Sequence, residues 1–221
     1  PDPPAPGGSM NYQSLILDID GTLWDSRGLV AEGFNLQLKE EGYPHLCVTV
    51  DDLTPLFGKV MEDLADVMLA TVPKEERYAL MIRCMEREHA YMAENPCQVG
   101  FPKVRETLEK LSEKYRLFIV SNCQSGYIEA FLDYYKFHDL FEDIECYGNN
   151  TKQKNENISL IVERNNLDKA VYVGDIQGDY NATTKAGLPF IHAAYGFGTI
   201  DTEVPAIKEL AELPNMIESV I

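Results

Sequence analysis

The residues Leu15-Ile16-Leu17-Asp18-Ile19-Asp20-Gly21-Thr22-Leu23 join an apolar run to two carboxylates spaced by one residue, then a glycine and a threonine. On a strand, the period of two points Asp18 and Asp20 the same way. An uncompensated pair of carboxylates at the end of a buried strand is costly. Two converging negative charges there call for a hard cation, and Mg²⁺ with oxygen ligands fits.

Downstream, the pattern from about Trp24 to Asn95 is helical. Val30, Phe34 and Leu38 fall on one helical face. Gly42-Tyr43-Pro44 breaks that helix, and a second segment from Asp51 is interrupted at Gly58. Pro73 opens a third helix, whose inner face takes Tyr78, Met81, Met85 and Met92, a stripe that reads as core. Beyond Asn95-Pro96, short apolar runs alternate with helical ones. Strands are expected at 117–120, 143–147, 170–173 and 189–193, and helices at 102–114, 125–135, 156–165, 179–186 and, last, 206–210. This alternation predicts an α/β fold, a Rossmann-like parallel sheet with helices on both faces. The helical block interrupts it directly after the first strand and is expected to be an inserted second domain. The expected division is a tail or tag remnant over 1–9, a main α/β domain over 10–23 and 96–221, and the inserted helical domain over 24–95.

Composition narrows the function. The 221 residues carry a formal charge of −17, with 45% hydrophobic and 25% charged residues, an ordinary globular balance. That charge argues against nucleic acid or an anionic membrane as partner, and it requires local cations to draw in any anionic substrate. The five cysteines form no C-x-x-C pair, which suits reduced thiols in a cytoplasmic protein. The histidines show no ligand spacing for zinc. No apolar run reaches transmembrane length and no signal-peptide pattern is present, so a membrane association is not expected.

Open α/β sheets place their sites beyond the carboxyl ends of the strands. Three strand ends then converge: Asp18/Asp20, Ser121-Asn122 and Gly174-Asp175. Lys152-Gln153-Lys154-Asn155-Glu156-Asn157 opens a helix nearby, and Asp179 follows Asp175 by four residues. Acidic metal ligands, a hydroxyl, an amide and a lysine are the equipment for phosphoryl transfer through a carboxylate nucleophile.

The motifs D-x-D-G-T-L, S-N, K-x-E-N-I and G-D-x-x-x-D, in that order and spacing, resemble those of haloacid-dehalogenase superfamily hydrolases of the phosphoglycolate phosphatase-like group, which carry a helical cap after the first motif. The resemblance covers nearly everything from Met10 onward. It implies a nucleophile at Asp18 that becomes an aspartyl-phosphate, and a general acid/base at Asp20. It also implies a phosphoryl-binding hydroxyl at Ser121, and substrate contacts from Gly21, Thr22 and Asn122. Mg²⁺ would be held by the Asp18 side chain, the Asp20 backbone carbonyl and Asp175, with Asp179 acting through a bound water or orienting that shell. Lys154 is preferred as the phosphate-neutralising lysine because it stands four residues before the first buried helix position, as in the K-x-E-N-I version of the motif; Lys152 stays the alternate, since the proline that often follows the family lysine is missing after both. Lys59, beside the Gly58 break in the cap, is a candidate for substrate selection. Cys123 reads as a packed thiol and Trp24 as packing at the cap hinge.

The resemblance therefore implies an Mg²⁺-dependent phosphatase of small phosphorylated metabolites, monomeric or homodimeric, with phosphoglycolate the default substrate of the group. Asp20 argues against a dehalogenase or a phosphonate hydrolase. A phosphosugar mutase uses the same core and stays open, as does, more remotely, a non-catalytic binding protein.

Overall fold

The computed structural model describes residues 13–95 and 99–220. The expected tail over 1–9, Cys97 and the Asn95-Pro96 junction's second half lie outside those residues. Six parallel strands form one sheet in the order β3-β2-β1-β4-β5-β6: β1 (Gln13–Leu17), β2 (Arg116–Ser121), β3 (Phe141–Cys146), β4 (Lys169–Gly174), β5 (Phe190–Ala193) and β6 (Ala206–Ile207). The fold is the α/β architecture expected from the alternation.

The central strands are buried on both sides, and their side chains alternate between two cores. Leu15 and Leu17 of β1, Leu117 and Ile119 of β2, and Val171 and Val173 of β4 share one hydrophobic cluster. Ile16, Phe118, Val120 and Tyr172 between them belong to the other.

Between β1 and β2 lie α1 (Arg27–Glu40), α2 (Val50–Leu53), α3 (Met61–Met68) and α4 (Lys74–Glu94), with short 3₁₀ turns at Pro44–Leu46 and Thr54–Leu56. The rest of the helices are α5 (Val104–Ser112), α6 (Tyr127–Tyr135), α7 (Tyr147–Asn150), α8 (Lys154–Arg164), α9 (Gln177–Lys185) and α10 (Leu213–Val220). Helices α5, α6 and α10 bury Leu108, Leu111, Ile128, Phe131, Leu213 and Ile217 on the first face of the sheet. Helix α8 buries Ile158 and Ile161 on the second.

The helical block after β1 has a hydrophobic cluster of its own, in which Val30, Phe34 and Leu38 of α1 meet Leu80, Met81 and Cys84 of α4. The methionine stripe of α4 is divided by where it lands. Met81 is buried in that cluster, whereas Met92, about three turns on, packs with the sheet.

One expected element is corrected. Residues 206–210 are not a helix: Ala206–Ile207 is an edge strand, followed by a 3₁₀ turn at Leu210–Glu212 and then α10. The backbone of His192 donates to Pro205 and that of Ala194 to Ile207, so this short apolar segment satisfies its carbonyls in the sheet. Runs this short do not distinguish strand from helix by spacing.

Candidate active site

The carboxyl ends of β1, β2 and β4 meet at one end of the sheet, and the residues just past them are buried. Asp18 continues β1, its backbone N–H donating to Val173 of β4. One oxygen each from Asp18, Asp175 and Asp179 lie within 4.8 Å of one another. Lys154, the first residue of α8, is only 4% exposed, and its Nζ lies 2.5 Å from Asp179 Oδ1 and 3.4 Å from Asp18 Oδ2. The K-x-E-N-I residues build this placement. Glu156 accepts the Gln153 backbone N–H at 2.9 Å, and Asn157, fully buried, bonds the Lys152 carbonyl and the Asn150 amide. Those contacts fix the first turn of α8 and aim Lys154 inward. Lys152 is exposed.

Three carboxylates face a single ammonium here. Burial raises the Asp18 pKa from 3.8 to about 7, with Asp179 and Asp20 adding to the rise and Lys154 opposing it. Asp175 is likewise held well above the ordinary carboxylate range, by burial and then by Asp179 and Asp18. Burial works to lower Lys154, yet Asp179 and Asp18 hold it well above its ordinary value. A hard divalent cation suits this donor set: all the ligands are oxygen, no thiol or imidazole belongs to the cluster, and a negative excess needs neutralising.

Asp179 is already engaged on both oxygens. Oδ1 takes Lys154, and Oδ2 accepts the backbone N–H groups of Asp175 at 2.9 Å and Ile176 at 3.2 Å. It ties the end of β4 to the start of α9 and orients Asp175 beside it. Asp175 Oδ2 in turn accepts the Phe197 N–H at 2.9 Å. Gly21, with φ of +77°, brings its backbone against Asp175, and a Cβ there would fall on the Asp175 carboxylate. Glycine at 21 thus makes room for a carboxylate.

The Asp18/Asp20 pair departs from the expectation of two carboxylates aimed alike. The strand stops at Leu17, and the chain turns so that the N–H groups of Thr22, Leu23 and Trp24 all converge on the Ile19 carbonyl. Asp20 leaves the acidic cluster. Its Oδ1 accepts from the Trp24 indole at 2.9 Å, the Ser26 hydroxyl at 3.1 Å and the Tyr127 hydroxyl at 2.5 Å. Burial raises the Asp20 pKa from 3.8 to about 6, and those three donors, Tyr127 first, hold it from going higher. A carboxyl poised near neutrality suits a group that both gives and takes a proton.

Ser26 and Tyr127 were not anticipated from the sequence. They come from the start of the cap and from α6, and only the folded chain brings them to Asp20. Trp24 does more than pack: its ring stands edge-on to Tyr127 and Phe131 while its N–H holds Asp20. Ser121, the last residue of β2, and Asn122 after it sit beside Asp20 in a cleft between sheet and cap. The Asn122 amide donates to the Gly58 carbonyl of the cap at 2.8 Å. Asn122 Oδ1 and the buried Thr22 Oγ1 have no hydrogen-bond partner. Cys123 lies in the same cleft, with its thiol pushed well up by burial and no cation beside it, so it is not an activated nucleophile.

The cap is seated on the sheet at one seam. Phe57 meets Phe197 edge-on at 5.5 Å, and the Arg27 guanidinium lies 4.2 Å from the centre of the Phe197 ring. Lys59, next to the hydrogen-bonded Gly58, lines the rim of the cleft and is exposed.

The family profile for haloacid dehalogenase-like hydrolases matches residues 15–193, the span that contains Asp18, Asp20, Ser121, Lys154, Asp175 and Asp179. The chain belongs to that family. Among haloacid dehalogenase-like proteins it is 25% identical to a phosphoglycolate phosphatase of Aliivibrio fischeri, over 83% of this chain and 84% of the relative. It is 27% identical to one of Synechococcus elongatus, over 92% and 94% of the two chains. A haloacid dehalogenase-like family hydrolase from Streptococcus pneumoniae superposes with a TM-score of 0.75 at 21% identity, over 93% of this chain and 98% of that one. The fold is shared across this haloacid dehalogenase-like group. Within the described residues, no helix is long and apolar enough to cross a membrane.

Proposed function

We propose that this hydrolase is a Mg²⁺-dependent phosphatase of small phosphomonoesters that works through an aspartyl-phosphate, with residues 24–95 acting as its cap. The observation that carries the reading is the division of labour between two neighbouring carboxyls. Asp18 sits in the acidic cluster beside Lys154, and Asp20 sits apart in a network of proton donors.

Asp18, Asp175 and the Asp20 backbone carbonyl would hold the cation, with Asp179 orienting Asp175. When bound, Mg²⁺ supplies positive charge that keeps Asp18 ionised next to an anionic substrate. The chain's own groups do the rest. Lys154 neutralises charge shared by Asp18 and the phosphoryl group, while Ser121 and Thr22 offer hydroxyls and Asn122 an amide to its oxygens. An Asp18 oxygen attacks phosphorus as the bond to the leaving oxygen breaks, and Asp20 gives that oxygen its proton. Asp20, now ionised, takes a proton from water. The hydroxide attacks phosphorus, and the bond to Asp18 breaks to release phosphate. The seated cap keeps bulk water from the first half of this sequence.

The relatives' names make 2-phosphoglycolate the reference compound, and the cleft, which encloses about 70 Å³, favours small organic groups. The deciding measurement is phosphate release from p-nitrophenyl phosphate, with Mg²⁺ and with EDTA, by the wild type and Asp18→Asn. Turnover that needs both Mg²⁺ and Asp18 is expected; equal rates in the two proteins would overturn the assignment. Isomerisation of a sugar phosphate without phosphate release would point instead to a mutase.

A further inference from the structure

Glu88 lies near the middle of α4, is 5% exposed, and lines the cleft between cap and sheet. Among the described residues, none gives it a hydrogen bond or an ion pair. On the cap side Val30, Phe34 and Met85 line the same cleft beside it, and the polar side chains there are His89, its neighbour on α4, and Lys59. Burial, and then the Asp20 carboxylate, push its pKa well above the carboxylate range. A largely buried carboxyl with no protein partner and its oxygens toward the cleft lowers stability and persists where something other than folding retains it.

The position is also held rigidly. A Cβ on Gly33 of α1 would lie 2.6 Å from the Glu88 Cα, so glycine at 33 lets the two helices touch at that residue. The backbone beneath Glu88 is therefore pinned, while its side chain faces the space where the organic part of a substrate would sit. Among the described residues, the one lysine on the cleft wall, Lys59, is exposed at its rim.

Resting on the phosphatase reading above, we propose that Glu88 is a specificity-determining residue. It receives a hydrogen-bond donor, a hydroxyl or an ammonium, on the organic part of the phosphomonoester, and so selects substrates of that kind over those with a carboxylate there. A substrate carboxylate would be desolvated against Glu88 and Asp20 and, among the described residues, would meet no buried cation on the cap side, since burial lowers the pKa of His89, the imidazole that lines the cleft.

The test is a matched series of ω-hydroxyalkyl, ω-aminoalkyl, ω-carboxyalkyl (2-phosphoglycolate the shortest) and n-alkyl phosphates, with chains of two to four carbons, assayed with Mg²⁺. At the chain length that reaches Glu88, a hydroxyl or amino compound is expected to exceed its carboxyl and alkyl partners in kcat/KM by about tenfold or more. Glu88→Leu should collapse that ratio, mainly through KM, and raise the melting temperature of the ligand-free protein. Glu88→Gln, which keeps a polar group at the same place, should retain the preference for the hydroxyl compound. A wild-type preference for the carboxyl series, or a ratio unchanged in Glu88→Leu, overturns the proposal; loss of the carboxyl preference in Lys59→Ala would then assign selection to the rim lysine. Failure of the wild type to hydrolyse any of these compounds or p-nitrophenyl phosphate would instead remove the phosphatase reading itself.

Discussion

The Tyr127 hydroxyl donates to Asp20 Oδ1 at 2.5 Å, across 107 residues of sequence, and lies 2.7 Å from the Ser26 hydroxyl. This contact joins α6 to the loop after β1 and sets how readily Asp20 holds its proton. Tyr127→Phe removes the donor that does most to hold the Asp20 pKa near 6. Asp20 should then titrate higher, moving the limb of the pH–rate profile that reports it upward, with kcat lowered about tenfold. A profile recorded from about pH 5 to 8 checks this, and an unmoved limb would show that Tyr127 is only packing.

Lys154→Met leaves Asp18 and Asp179 without their ammonium. Activity toward p-nitrophenyl phosphate should fall by about a hundredfold or more, and stability by about 3–5 kcal/mol, as expected when a buried pair loses one partner. Lys152→Ala, at an exposed position two residues earlier, should stay within about twofold of wild type. Urea denaturation alongside the assay separates the two effects.

Stability should depend on pH and metal in a particular sense. The Asp18 carboxyl titrates at about 7 when folded against an ordinary 3.8, so the folded state holds its proton more tightly than the unfolded chain. Its contribution is complete below 3.8 and is lost as pH rises to about 7. Asp20, raised to about 6, adds in the same sense. In EDTA, the melting temperature is expected to decline between about pH 5 and 7.5. Mg²⁺ should raise it more at the upper end of that range, and Asp18→Asn should flatten the slope.

Gly21→Ala combines a left-handed φ of +77° with a Cβ directed onto the Asp175 carboxylate. The variant should lose stability, by about 1–3 kcal/mol for the backbone alone, and should need more Mg²⁺ for half-maximal activity. Titration of activity against Mg²⁺ reads the second effect separately from the first.

Much of this was legible in the sequence because it is local. The β1 run and the strand ends at Ser121 and Asp175 follow from apolar runs stopping at polar residues. Lys154 could not be separated from Lys152 by pattern alone. That distinction lies in Glu156 and Asn157 fixing the first turn of α8, so that one lysine points inward and the other out. Asp20 was expected to point with Asp18 because a strand was assumed to continue through it; the turn centred on the Ile19 carbonyl ends that periodicity. Ser26, Tyr127 and Glu88 left no signal at all. A tyrosine in an apolar helical stretch and a glutamate in a charged helix look the same whether or not a distant carboxylate needs them.

The hydrogen bond from Asn122 to the Gly58 carbonyl ties the residue after Ser121 to the helical block inserted after β1. With Phe57 against Phe197, it forms the latch of the cleft, and the latch is also the exit. If phosphate leaves through this seam in the proposed cycle, every turnover contains one mechanical event, the release of the Asn122 amide. For a substrate whose chemistry is fast, the enzyme's clock would be the lifetime of that latch, and mutations at 57 or 58 would change tempo while leaving the bond-breaking step intact.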